Sequence, residues 1–317
     1  MSVNYVGNVG RRLLTLEESN PGDANLCLEL SNPAVLAPGQ TPCGPGLETS
    51  VYTLANGTTV EGTRPTLGIN FASNPYMRTI ASSSYNSLQA SLQHNDKYAQ
   101  FLIGYTFARS FDDASAQQDL TNVLDPALSR GLSNFDVTNN FVASYDVPIP
   151  FDGYLPKDGL LKKTLGGWAV SGITTFASGL PVTLSEDDDN SLTGTQADLP
   201  NYSPQGGKLI IHRNPRSGLP YFNPNLFTPE NPGTFGNSQR RFFHGPGLNN
   251  TDLALLKTFG FTESIKLEFR AEAFNVLNHA QFNGPSGDVD NQIVGGMGYI
   301  NSANDPRIMQ LALKLHF

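Results

Sequence analysis

The sequence contains no long hydrophobic run. No run of about 18 apolar residues, the minimum for a candidate transmembrane helix, occurs among the 317 residues. A membrane-spanning helix is therefore excluded. Strands that cross a bilayer are shorter and alternate apolar with polar residues, so this absence does not exclude membrane strands.

Charge and recognisable catalytic patterns are also scarce. Charged residues make up 15% of the chain, the net charge is −8 at pH 7, and no basic run is present, which argues against a nucleic-acid partner. The five histidines lack metal-ligand spacing. No GxSxG occurs, and the glycine-rich pieces lack the Lys and the strand–loop–helix context of a phosphate loop. The sequence predicts neither an enzyme nor a cofactor.

Cysteine is rare as well. Cys27 and Cys43 are the only two, sixteen positions apart in a region rich in Pro, Gly and Asn. Two cysteines fit no zinc pattern. Two interpretations stay open: a disulfide that staples a loop in an oxidising compartment, which we prefer, and two free thiols.

Turn-forming residues are abundant, with 31 Gly and 22 Pro, which indicates an all-β protein with long loops. The last eleven residues show the clearest strand. Their apolar side chains all fall on one parity, namely Met309, Leu311, Leu313, Leu315 and Phe317. Strict period two predicts a strand with one apolar and one polar face. Closing strands of outer-membrane barrels usually end on such an aromatic; a soluble sandwich edge is the alternative.

Seven further segments repeat this alternation. The eight predicted strands cover about 2–14, 84–94, 97–109, 134–147, 165–177, 250–260, 263–275 and 307–317. Each is close to the length that a tilted strand needs to cross a bilayer. Short and long connections alternate along the chain, which sorts every long loop to one end of the sheet. Outer-membrane barrels have short periplasmic turns and long extracellular loops, so the order favours an antiparallel transmembrane β-barrel segment.

One predicted strand carries most of the candidate lumen charges. Its polar positions alternate in sign and are Lys266, Glu268, Arg270 and Glu272. With Lys314 of the last strand, we predict that they face the barrel lumen as a charge ladder, rather than form an acid–base pair. In a long loop, the acidic run from Glu186 to Asp189 has two interpretations: a Ca²⁺ site through carboxylate oxygens and a solvated loop tip.

Several segments, in order, resemble one family. Residues 270–282, RAEAFNVLNHAQF, closely resemble the RxExFNxxNHxxF segment of Oar-like TonB-dependent receptors. The other matching segments are YVGNVG at 5–10, SYNSLQ at 84–89, YTFARSFDD at 105–113, GW through SGLP at 167–181, and FGN, Arg240 and GPG within 235–247. Together they cover nearly the whole chain.

The resemblance implies that residues 1–317 are the C-terminal part of a receptor barrel of about 22 strands, in the outer membrane of a Gram-negative bacterium. It implies energised uptake of a ligand, with TonB acting through a plug domain. The chain shows neither that plug nor a signal peptide. The implied partners are outer-membrane lipid and the barrel-assembly machinery, which would read Phe317. The alternatives are a complete eight-stranded adhesin or structural barrel, and a soluble secreted carbohydrate-binding β-sandwich.

Overall fold

A computed structural model describes the chain except for residues 118, 120, 121, 123, 151–153, 155–158, 196–197 and 263–264. The strands are β1 Ser2–Glu18, β2 Val51–Thr53, β3 Thr59–Glu61, β4 Pro75–Asn95, β5 Gln100–Asp112, β6 Gly131–Leu132, β7 Asn139–Pro148, β8 Trp168–Ala177, β9 Asn201–Tyr202, β10 Phe227–Thr228, β11 Leu248–Gly260, β12 Lys266–Phe274 and β13 Ile308–His316. The α-helices are α1 Ala24–Leu30 and α2 Leu160–Leu165, and short 3₁₀ turns lie in the loops. No helix in these ranges is long and apolar enough to cross a bilayer.

All eight predicted strands lie in one antiparallel sheet. Its order is β1-β4-β5-β7-β8-β11-β12-β13, with the short β6 paired to β5. The only other sheets in the described part of the chain are the two-stranded pairs β2–β3 and β9–β10. A sandwich needs two large sheets packed face to face, so the β-sandwich alternative is wrong.

Connections of different length lie at opposite ends of the sheet. Segments 19–74, 113–138, 178–247 and 275–307 leave from one end, which we call the loop end. The shorter segments 96–99, 149–167 and 261–265 close the other, which we call the turn end. This confirms the predicted sorting.

The register divides the sheet into two faces. Residues directly paired across antiparallel strands point to the same side. Leu255 pairs with Val170 and with Ala271, and Ala271 pairs with Leu311. This row belongs to the apolar face. The alternate positions form the polar face, which carries most of the amide, hydroxyl and charged side chains of the strands.

The first strand is longer than predicted. β1 runs past its predicted end to Glu18, where it pairs with Pro75 at the start of β4. The register shifts between Gly10 and Leu13, and Arg12 has a φ of 56°. A bulge changes which face the following side chains take, so period two fails there. The extension is also mostly polar, and a polar segment at the end of a strand is predicted as a loop from the sequence alone.

Lys257 is an exception on the apolar face. Its side chain is 1% exposed, and the strand keeps its register there, opposite Trp168 and Phe269. The ammonium donates to the carbonyl oxygen of Gly166 and lies 5.4 Å from the Trp168 ring centroid. A hydrogen bond and an aromatic face offset the cost of placing this cation among apolar side chains.

The hydrophobic core lies in the loops rather than beneath the sheet. One cluster is formed by Val182, Leu184, Tyr221, Phe222, Leu226, Phe227, Phe243, Val289 and Met297. The other is formed by Cys27, Leu30, Leu36, Cys43, Tyr52 and Leu192. The long connections therefore fold into an ordered loop layer, which the polar composition of those segments did not predict.

Candidate functional site

The polar face of the sheet bounds a cavity. A space of about 550 Å³ extends over six strands, β4, β5, β7, β8, β11 and β12. Its lining follows one row of directly paired residues: Gln93, Leu102, Ser144, Ile173 and Asp252. The sheet therefore curves around its polar face. The row combines the polar side chains of Gln93, Ser144 and Asp252 with the apolar side chains of Leu102 and Ile173, so the concave wall can both hydrogen-bond a solute and pack against it.

The predicted lumen charges all lie on this polar face. Their positions are given by the pairing of β12 with β11 and β13, and they are Lys266, Glu268, Arg270, Glu272 and Lys314. Arg270 and Glu272 line the cavity and form an ion pair of 2.7 Å. Lys314 stands directly opposite Glu268, whose carboxylate lies 3.4 Å from His316. The opposite signs along and across the strands fit a charge ladder.

The two cysteines form a disulfide in the loop layer. The bond joins Cys27 of α1 to Cys43, and both residues are buried with Tyr52. Asp23 caps α1, since its carboxylate accepts hydrogen bonds from the backbone N–H groups of Asn25 and Leu26. The disulfide and the cap hold a small core in segment 19–74. This core gives the loop layer a fixed shape.

Arg240 fastens two long loops to the sheet. Its guanidinium lies 2.6 Å from Asp112, at the end of β5, and 3.1 Å from Asp119. Asp112 and Arg240 both belong to the segments quoted above, YTFARSFDD and FGN–Arg–GPG. The sequence did not reveal this pair, because the two residues are 128 positions apart. Charge of opposite sign in two such segments was the available signal.

Two glycine-containing segments meet where β8 and β11 leave the sheet. A Cβ on Gly179 would stand 2.2 Å from the carbonyl oxygen of Gly245, so any side chain there would clash. Gly245 N donates to Leu180 O, and Val182 N donates to Phe243 O. These bonds hold together the two ends of segment 178–247, next to the sheet. Close backbone approach explains why glycine occupies position 179.

Asp136 and His244 form a hydrogen-bonded pair rather than part of a catalytic triad. His244 Nε2 lies 2.8 Å from Asp136 Oδ2 and 3.4 Å from Thr138 Oγ1, so one ring nitrogen contacts both groups. In a triad the acid and the nucleophile bind different ring nitrogens. Asp136 Oδ1 accepts from the backbone N–H of Ser110. These bonds hold segment 133–138 in the loop layer, so β7 starts at Asn139 and not at the predicted residue 134.

The acidic run from Glu186 to Asp189 is part of a folded turn. Glu186 is buried while Asp187 and Asp188 are exposed, and Asp189 accepts from the backbone N–H of Gly194 at 2.9 Å. Within the described ranges, no group of three His, Cys, Asp or Glu side chains could hold a metal ion. The run therefore belongs to a folded turn rather than to a wholly solvated tip.

Buried carboxyl groups surround this turn. Burial raises the pKa of Glu230 to about 9, and the adjacent Glu186 carboxyl adds to the rise. Burial also raises the pKa of Asp198 to about 6. Both carboxyl oxygens of Glu230 lack a hydrogen-bond donor. Two carboxyl groups in contact are stable only when one is protonated and can donate to the other.

We expect the loop layer to lose stability as pH rises. The folded protein keeps the Glu230 proton to about pH 9, whereas an unfolded Glu loses it near 4.5. The contribution of this protonated carboxyl group to the stability of the folded loop layer is thus complete below pH 4.5 and is lost as pH approaches 9. Glu230→Gln keeps a neutral donor, so it should stabilise segment 186–198 at pH 9 by about 1–3 kcal/mol.

Hydrogen exchange of segment 186–198 at pH 6 and pH 9, corrected for the intrinsic rate, measures this effect. Asp187→Asn removes the same charge at an exposed position and should leave the pH dependence unchanged. Equal pH dependence in the Glu230→Gln variant and the parent would contradict the role of the buried carboxyl.

Phe317 follows the end of β13 and is 97% exposed. On the parity of Leu313 and Leu315 it belongs to the apolar face. Its position agrees with the strand predicted from the sequence. Its recognition by the assembly machinery stays a prediction.

Comparison with known proteins gives a family match. The family model described as "Outer membrane beta barrel domain" matches residues 1–310. Among solved structures, the outer membrane transporter YddB from Escherichia coli is similar, with 8% identity and a TM-score of 0.39. The alignment covers 99% of this chain and 30% of that one, so this chain spans about a third of the transporter's length. No curated protein sequence matches.

Proposed function

Because this chain belongs to the outer membrane beta barrel domain family, we propose that it forms part of the wall of a larger TonB-dependent receptor barrel and serves energised uptake of a solute. The chain resides in the outer membrane. Its concave polar face would line the lumen, and its loop layer would face the outside. TonB would act through a plug domain, and the barrel-assembly machinery would insert the strands into outer-membrane lipid.

The open sheet is the observation that carries this proposal. In the described residues β1 and β13 pair with β4 and β12 and not with each other. An unpaired strand edge cannot persist in hydrocarbon, because no water satisfies its backbone groups. The open edges therefore support a wall that further strands complete. Eight strands closed on themselves would leave an interior filled by side chains, whereas this sheet has a cavity of about 550 Å³ over its polar face.

The test compares solute depletion from a complex growth medium by three strains of the source bacterium: the parent, a strain without the gene for this chain, and a strain depleted of TonB. We expect at least one solute to disappear only with the parent strain, and a protonophore to abolish its loss. Identical depletion by the parent and the gene-deleted strain would refute the proposal. The solute need not be identified before the assay, because every component of the medium is followed at once.

Oxidative cross-linking separates the larger barrel from the complete eight-stranded barrel. Tyr5 of β1 and Leu313 of β13 lie on the apolar face at opposite edges. Tyr5→Cys would be combined in turn with Leu311→Cys, Leu313→Cys and Leu315→Cys, which scans the register. We expect no intramolecular cross-link in outer-membrane vesicles. An efficient cross-link in any pair would show that β1 and β13 close the barrel alone, as in a small adhesin or structural protein.

A further inference from the structure

A second, smaller pocket lies at the loop end of the polar face. It has a volume of about 300 Å³ and is bounded by β4, β5, β7 and the segment before β7. The side chains that define it are Tyr85, Gln89, Thr106, Phe135, Asp136 and Asn140. This volume is at the lower end of the range for small-molecule sites.

The strand register aligns the polar groups of this pocket. Gln89 pairs with Thr106, and Thr106 pairs with Asn140, so three side chains stand in one row across three strands. Tyr85 lies on the same face, four residues closer to the loop end. The side chains of Tyr85, Thr106 and Asn140 make no hydrogen bond with the described residues. Their donors and acceptors are therefore available to a ligand.

Phe135 supplies an apolar wall. Its side chain is 60% exposed, although the next residue, Asp136, is 2% exposed and fixed by Ser110 and His244. The backbone that carries Phe135 is thus anchored while its ring stays open. Because Phe has only two side-chain torsions, such a ring loses little conformational entropy when a ligand packs on it.

The charges around the pocket exclude ionic ligands. No Lys or Arg is among the described residues that line it, so an anion would have no counter-charge. Asp136 is the one acid among those described residues. Its two oxygens already accept hydrogen bonds from Ser110 N and from His244 Nε2, so neither is free to bind a cation. A purely apolar ligand would leave the hydroxyl and amide groups unpaired, at a cost of about 1–3 kcal/mol each.

We infer that the pocket under Phe135 binds a neutral sugar residue. A pyranose has several hydroxyl groups that can pair with Tyr85, Thr106 and Asn140, and an apolar C–H face that can pack on an aromatic ring. The polar positions of β4 from Ser83 to Asn95 carry no charged residue, so a neutral oligosaccharide can continue along this wall. The identification of this sugar as the transported solute rests on the proposed function. The binding of the sugar to the pocket does not depend on that function.

The test measures binding without an energy source. The protein in outer-membrane vesicles is titrated with maltotriose, xylotriose, cellotriose and chitotriose, and saturation-transfer NMR measures binding. Triglucuronate is the charged comparison and adenosine is the nucleoside comparison. We expect saturable binding of at least one neutral trisaccharide and none of triglucuronate. Phe135→Ala should weaken it about tenfold or more, and Tyr85→Phe or Thr106→Val about threefold each.

Phe71→Ala is the matched control, because Phe71 is also 60% exposed but lies in segment 19–74; it should leave the affinity unchanged. The Tyr85→Phe and Thr106→Val variants keep the test valid if Phe135→Ala fails to assemble. No saturable binding of any neutral sugar, tighter binding of adenosine, or affinities unaltered in all three pocket variants would overturn the inference. Because the assay lacks uptake, its failure is distinct from failure of the depletion experiment.

Discussion

Leu311→Arg is expected to destabilise the assembled protein by about 2–4 kcal/mol, the cost of a cation on the lipid face near the bilayer midplane. Leu311 lies on the apolar face in one row with Ala271, Leu255 and Val170. It is 70% exposed, as a lipid-facing side chain must be. Unfolding in urea from phospholipid vesicles, followed by tryptophan fluorescence of Trp168, measures the change.

Gln310→Arg is the control for this prediction. Gln310 precedes Leu311 at the same depth but points to the polar face, directly opposite Glu272. An Arg there gains an opposite charge in a wet environment, so we expect stability within about 0.5 kcal/mol of the parent. Equal losses at the two positions would show that the faces are wrongly assigned to lipid and lumen.

Removing the disulfide is expected to cost about 3 kcal/mol of loop-layer stability, given the sixteen-residue separation of its cysteines. The double variant Cys27→Ala, Cys43→Ala should open segment 19–74 while the strands stay protected. The reason is that the small core around Cys27, Leu30 and Tyr52 depends on this cross-link, whereas the sheet is held by its own hydrogen bonds. Hydrogen exchange resolved by segment separates the two regions.

Reduction of the parent protein with dithiothreitol provides an independent comparison, since it breaks the same bond without changing a side chain's size. It should raise exchange in segment 19–74 to the level of the double variant. Val35→Ala, at an exposed position in the same segment, should have little effect. Unchanged protection of this segment after reduction would contradict a stabilising role for the disulfide.

The strands could be predicted because their two environments alternate with every residue. In β12 and β13 each side chain faces either the apolar or the polar side, so the sequence reports the face directly, and all five predicted lumen charges share one face. The predicted boundary was wrong where the alternation is interrupted. Beyond the bulge near Arg12 the parity changes, and the end of β1 lies in a polar loop layer.

The loop layer was not predictable in the same way. Its cores join residues from separate segments, such as Leu192 with Tyr52, and one of its ion pairs joins Arg240 to Asp119 of another loop. No periodicity records such contacts. The pocket under Phe135 likewise depends on the register of three strands and on the hydrogen bond between Asp136 and His244.

By itself, the sequence determined the antiparallel strands, their two faces, and the sorting of long loops to one end, because local alternation of apolar and polar residues encodes all three. Only the tertiary structure decided the rest. It showed the disulfide-stapled loop layer, the buried carboxyl groups, the cavity over the polar face and the open edges of the sheet. Each of these depends on which distant residues meet, and that is set by packing and pairing over the whole fold.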